Sequence, residues 1–239
     1  MAVRQLAPAS PVATPPTAED AVTTGIALFD LDRTLIPGSS VLALGRRLAR
    51  DGVVSRRALA EAAVHDARFR RRGATDADAE RLRTRALRAI AGLERSALRE
   101  VVNRVGREVA RTASPGARML LDRHRGAGDL CVVLSASPQE LVEVVSDEMG
   151  ASCGIGTRAM VVDGRLTGGL DGPFCYGAGK LARLRDRFGV LDLRNAWAYA
   201  DSASDLPLLE ACGHPVAVNP DRALNRVAKA NGWPIVVVA

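Results

Sequence analysis

The chain has little of what would let it stack nucleic-acid bases, hold a soft metal or span a bilayer. Aromatic residues make up 3% of its 239 positions, so flat platforms for bases are scarce. Its four cysteines, Cys131, Cys153, Cys175 and Cys212, are widely spaced and form no CxxC pair. That spacing argues against a zinc site or a disulfide framework and fits a reducing cytoplasm. The three histidines, His65, His124 and His214, are isolated from one another and receive no chemical role. No apolar run approaches the length of a membrane span. The opening "MAVRQLAPASPVATPPTAEDAV" lacks an apolar signal core, so secretion is not expected. Its Ala, Pro and Thr content predicts a disordered tail over residues 1–22. Lysine occurs only twice, at Lys180 and Lys229, in a chain whose positive charge is otherwise arginine.

What is present matches a globular protein with a large core: 47% of residues are apolar and 25% charged. The charge is uneven. Residues 40–113 hold 18 Arg against 9 Asp or Glu, while the whole chain carries +6. A basic segment of this kind can meet nucleic acid or an anionic substrate. The simpler reading is a set of solvated helix surfaces, and no nucleic-acid partner is expected.

Two textures divide the chain. "IALFD" (26–30) reads as a buried strand, and residues 41–111 then read as helices. One begins at Ser55 as N-cap, and another opens with Thr75 and Asp78 in capping-box spacing and ends at Gly92. From residue 114 strands alternate with helices. Ser114-Pro115 opens one helix and Ser137-Pro138 the next, either side of the strand "DLCVVLSA". "TRAMVVDGRLTGGL" reads as a hairpin turning at Asp163-Gly164. A helix over 178–188, the strand "AWAYA", a helix over 203–212, the strand "PVAVN", a helix over 221–231 and the strand "PIVVV" complete the pattern. This predicts an α/β fold: a Rossmann-like, mostly parallel sheet covered on both faces, with a helical insert. The expected units are a core of residues 23–39 and 114–239 and an α-helical cap of residues 40–113.

Ligands of such sheets bind beyond the carboxyl ends of the strands. The first strand ends in "DLDRT", placing Asp30, Asp32 and Thr34 there. The second ends at Ser135, a later one at Asp201 with Asp205 four residues on, and Lys180 stands near a helix start. Asp30 and Asp32 repel one another and are costly to desolvate, so a cation or a reaction must offset their crowding. Carboxylates that can hold Mg²⁺, a lysine and a hydroxyl for phosphate oxygens, and a spare carboxylate for proton transfer together suit phosphoryl transfer.

The same residues resemble the haloacid dehalogenase superfamily. "DLDRT" is similar to its first motif, "VVLSAS" to its second, the Lys of "GAGKLARL" to its third and "DSASDLPLL" to its fourth, all in the family's order. The insert directly after the first motif resembles the cap of subfamily IB, which contains phosphoserine phosphatase. The resemblance implies a Mg²⁺-dependent phosphomonoester hydrolase acting on a small phosphorylated metabolite, with neither a nucleic-acid nor a membrane partner. Asp30 would be the nucleophile that becomes phosphoaspartate, and Asp32 the general acid/base. Thr34 would orient the loop, and Ser135 and Lys180 would hold the phosphoryl group. Asp30, the backbone carbonyl of Asp32, and Asp201 would ligate Mg²⁺, and Asp205 would support the metal or orient Lys180.

Two departures bear on the substrate. Arg33 stands where many relatives carry a small residue, and it either turns to solvent or touches substrate. No acidic residue lies between Arg33 and Arg50 to meet a serine ammonium. Ser39 and Ser40, where the loop enters the cap, are candidate contacts for the leaving group, and the "RFRRRG" run from Arg68 is a candidate contact for an anionic one. Two alternatives stay open: a phosphotransferase or mutase on the same aspartyl-phosphate, and a non-catalytic nucleic-acid-binding module using the arginine-rich insert.

Overall fold

The computed structural model describes residues 25–57, 59–64 and 76–238. The expected tail (1–22), His65, Thr75 and the arginine run from Arg68 lie outside these residues.

Strand β1 (Ile26–Asp30) is buried along its whole length and sits in the middle of a six-stranded sheet. Its neighbours are β2 (Leu130–Pro138) and β6 (Trp197–Ala200), both parallel to it. β3 (Cys153–Thr157) lies outside β2, and β7 (His214–Val218) and β8 (Ile235–Val236) lie outside β6. The continuous apolar run of β1 follows from burial on both faces. Ala27 and Phe29 join one apolar cluster, and Ile26 and Leu28 join the other. The first cluster is covered by α3 (Arg95–Arg111), α4 (Pro115–Ala127) and α5 (Gln139–Met149), through residues such as Val102, Leu121 and Val142. The second is covered by α6 (Ala178–Phe188), α7 (Leu206–Ala211) and α8 (Arg222–Ala230), through Leu184, Leu208 and Leu224. This is the expected α/β, Rossmann-like architecture. Among the described residues no helix is long and apolar enough to cross a membrane.

Local signals account for several boundaries. Ser114 caps α4, its Oγ accepting from Ala117 N at 3.2 Å, with Pro115 at the first helical position. The hairpin β4 (Ala159–Val162) to β5 (Arg165–Leu170) turns at Asp163 and Gly164, both with positive φ, as a two-residue turn requires. Three boundaries differ from expectation. Strand β2 runs on to Pro138, and α5 starts without a side-chain cap, because Ser137 is buried and bonds Ser40 instead. The segment 203–212 divides into a 3-10 turn (Ala203–Asp205) and α7, which has a proline in its first turn. The final strand is only two residues long and lies at the sheet edge.

Within 40–113 the described residues form α1 (Ser40–Arg50), a helical stretch at 56–57 and 59–64, α2 (Asp76–Ala89) and α3. Helix α3 packs tightly on α5. A Cβ on Gly106 would sit 2.5 Å from Val144 Cγ1. The buried Leu98, Val102, Val105 and Val109 of α3 belong to the same cluster as Phe29. The hairpin joins the insert through backbone bonds: Gly92 N to Leu166 O at 2.8 Å, Leu166 N to Leu93 O at 2.9 Å and Arg95 N to Gly164 O at 2.9 Å.

The closeness at Gly106 gives a direct test. Gly106→Val should lower the urea midpoint by an amount worth about 1–3 kcal/mol, through overpacking against Val144. An unchanged midpoint would mean that the α3–α5 contact yields without cost.

Candidate active site

The parallel register brings the strand ends together. Asp30 lies opposite Leu134, so Ser135 comes one residue beyond it on β2. Phe29 lies opposite Tyr199, so Asp201 comes just past the end of β6. The chain order reverses between β1 and β6, which is where an open α/β sheet forms its crevice.

After Asp30 the chain doubles back. Leu35 N and Ile36 N both donate to Leu31 O, at 3.0 and 3.1 Å, and Arg33 adopts φ +67. A left-handed arginine costs about 1–2 kcal/mol. Asn219, itself at φ +44, donates through Nδ2 to Arg33 O at 3.4 Å. The turn returns Thr34 to the strand end, where its Oγ1 donates to Asp30 Oδ2 at 3.1 Å. The other oxygen, Oδ1, accepts from Lys180 Nζ at 2.6 Å. Lys180 is 2% exposed, and its ammonium is also 2.8 Å from Asp205 Oδ1. Its approach depends on glycine: a Cβ on Gly179 would lie 1.9 Å from Phe174 O.

Asp32 is held by the insert. Its Oδ1 accepts from Ser40 N at 2.7 Å, across the first turn of α1. Loss of hydration and the Asp30 charge push its carboxyl up to about 6, against the Ser40 hydrogen bond and the Arg33 charge. Ser40 is fully buried, and its Oγ lies 2.6 Å from Ser137 Oγ, so its hydroxyl is used within the protein. Ser39 caps α1, accepting from Leu42 N at 3.4 Å, and lines the cavity above the strand ends, as Arg33 does. Ser135 is buried, its Oγ accepting from Ser137 N at 3.1 Å. Sequence reasoning treated Ser137 as a helix cap and missed its link to Ser40. It also passed over Asp221, which caps α8 and accepts from Ser202 Oγ at 3.2 Å and Ala203 N at 3.3 Å, fixing the loop after Asp201.

Burial raises Asp201 well above the carboxylate range, with the Asp30 charge adding to it. Burial raises Asp205 too, against the Lys180 charge. Burial alone would lower Lys180, but Asp205 and Asp30 reverse this and keep it protonated. Asp30, Asp201 and Asp205 each offer one oxygen within 4.8 Å of the others. Hard oxygen donors with more negative charge than one ammonium balances fit a small divalent cation such as Mg²⁺.

A sheet of this order with two aspartates one residue apart at its central strand end, facing a buried lysine and two further aspartates, defines a phosphoryl-transfer hydrolase. The chain belongs to the haloacid dehalogenase-like hydrolases, whose family model matches residues 27–210. It is an enzyme of the family's phosphatase type. It is 35% identical over 238 residues to a probable phosphatase of Mycobacterium tuberculosis, covering 98% of this chain and 81% of that protein. It is 34% identical over 217 residues to a phosphoserine phosphatase of the same organism, covering 89% and 70%. A Bordetella pertussis protein of unknown function superposes with a TM-score of 0.77 at 30% identity, over 89% of this chain and 98% of that one.

Lys180→Met should leave Asp30 and Asp205 facing each other without a counter-charge. In chelator at neutral pH this should cost about 3–5 kcal/mol in urea unfolding. A loss below about 1 kcal/mol would show that the ammonium is dispensable to the buried cluster.

Proposed function

We propose that this phosphatase is a Mg²⁺-dependent phosphomonoesterase working through a phosphoaspartate on Asp30, with a small phosphorylated metabolite of the cytoplasm as substrate. The observation that carries the reading is the unequal setting of the two neighbouring aspartates. Asp30 is gripped at both oxygens, by Lys180 and Thr34, and so faces the cavity in one orientation. Asp32 is held at one oxygen by Ser40 N, and its carboxyl, pushed up to about 6, can both carry and release a proton near neutrality.

In the first step an Asp30 oxygen forms a bond to phosphorus as the ester P–O bond breaks, and Asp32 donates its proton to the departing alkoxide. In the second, Asp32 takes a proton from water, whose oxygen attacks phosphorus. The aspartyl P–O bond breaks, releasing inorganic phosphate and restoring Asp30. Lys180 and Ser135 stabilise charge on the phosphoryl oxygens. Asp30, Asp201 and the carbonyl of Asp32 would hold Mg²⁺, with Asp205 in support; the cation neutralises phosphate charge when bound. Residues 40–113 act as the cap over this site, on a core of residues 23–39 and 114–239. Leu44 and Leu48 of α1 and Val102 and Val105 of α3 all belong to the core cluster, so the insert is anchored at both of its ends.

Asp30→Asn should bring phosphate release below detection and abolish acid-stable labelling of the protein by a ³²P-ester, because an amide is no nucleophile. Asp32→Asn should slow turnover by about 10²–10⁴-fold. Retained labelling in a verified Asp30→Asn protein would move the nucleophile elsewhere, and phosphate release that requires a second alcohol would make the enzyme a phosphotransferase.

Mg²⁺ added to the chelated protein should raise its melting temperature, by a stabilisation of about 2.7 kcal/mol at a hundredfold excess over Kd. Asp201→Asn should shrink the rise. An equal rise in the variant would take Asp201 out of the ligand set.

A further inference from the structure

The strand-end carboxylates form the floor of a cavity of about 600 Å³, within the range of small-ligand sites. Its upper walls are mostly apolar, with Glu61, Arg81, Arg83, Arg85 and Glu140 also lining them. The insert contributes Leu42, Val54, Leu82 and Ile90, and the loop before α6 contributes Phe174 and Tyr176. The two rings are stacked, with centroids 5.6 Å apart and planes at 16°. The Arg83 guanidinium from α2 lies over the Phe174 ring at 5.3 Å, joining insert to core across the wall.

The acidic side chains lining the upper cavity are already engaged. Glu61 meets Arg57 at 3.2 Å and Arg85 at 3.7 Å, and Glu140 meets Arg95 at 3.0 Å. Helix α1, which forms the wall nearest Asp32, has no acidic residue. Among the described residues of the cavity, then, a substrate ammonium would find no unpaired carboxylate outside the catalytic floor. Against these described walls a zwitterionic alcohol such as serine would lose hydration to aliphatic and aromatic surface and meet carboxylates already paired with arginine.

We propose that the substrate is the monophosphate ester of an apolar alcohol, its phosphate on the floor and an alkyl or arylalkyl body against the insert. The proposal rests on the phosphatase reading above and narrows it to one chemical class. It makes two demands of the molecule: a dianionic head for Lys180, and an apolar tail that gains by leaving water. The ester oxygen links the two at the level of Asp32.

The test is a homologous series. Phosphate release by the full chain with Mg²⁺ is measured on n-alkyl monophosphates from ethyl to decyl, below their micelle concentrations, beside phosphoserine and phosphoethanolamine. The expected result is a rise in kcat/KM of about threefold to fourfold per methylene until the cavity is full, with both amino-alcohol esters at or below ethyl phosphate. Leu82→Gln, which puts an amide in the apolar wall, should flatten that slope. Binding of the same series to the Asp30→Asn protein by calorimetry should show the same dependence on chain length without turnover. A flat series, or release from phosphoserine faster than from every alkyl ester, overturns the apolar assignment and leaves the phosphatase standing. Release from none of the esters overturns the phosphatase reading, and the assignment of the leaving group falls with it.

Discussion

A single ammonium, buried in the crevice where the sheet reverses its order, determines how the rest of the site is arranged. Lys180 lies between Asp30 and Asp205, and the three groups come from places 150 and 25 residues apart in the chain. Desolvating a lysine is costly, and desolvating two carboxylates beside it costs more. Each is tolerable only because the others are there. That mutual dependence explains local features that otherwise look arbitrary. Gly179 has no side chain because Phe174 O occupies its place. Arg33 accepts a left-handed backbone because the turn must bring Thr34 back to Asp30. Asp221 braces the loop carrying Asp201 toward the same point.

The insert serves this arrangement in two ways. Its first residue, Ser40, gives a backbone N–H to Asp32 and shares a hydroxyl–hydroxyl bond with Ser137, so Asp32 is tied to the insert as well as to its own turn. Its last helix is part of the core covering, and the hairpin bonds to the segment just before it. The described cavity wall between these anchors is largely aliphatic, and its Glu61 is paired with Arg57 and Arg85.

Much of this was legible in the sequence, and for identifiable reasons. β1 could be read because five consecutive buried residues leave an unbroken apolar run ending in paired acids. The hairpin could be read because Asp163-Gly164 satisfies two positive φ angles that few pairs accept. Asp30, Asp32, Thr34, Ser135, Lys180, Asp201 and Asp205 converge because they stand at ends of parallel strands or first turns of helices, and topology gathers such places on one edge. What could not be read depended on contacts between distant segments. Ser137 has the local pattern of a cap, but a serine 97 positions away claimed it. Ser40 looked like a loop hydroxyl aimed at substrate, and the same bond turned it inward. That Gly106 marks the docking of α3 on α5 is invisible without knowing that the two helices meet.

The alternation along β1 has an evolutionary consequence. Ala27 and Phe29 look toward the helices that carry the insert, while Ile26 and Leu28 look toward α6, α7 and α8. Lys180 and Asp205 are therefore anchored on one side of the sheet, with the loop that carries Phe174 and Tyr176, and the insert's share of the cavity wall is anchored on the other. The sheet works as a partition between two helix layers, with β1, β2, β6 and β7 each turning side chains to both. Drift that reshapes the insert side can change the cavity wall without disturbing the ammonium–carboxylate cluster across the partition. A lineage built this way can diversify its substrates while its chemistry stays fixed.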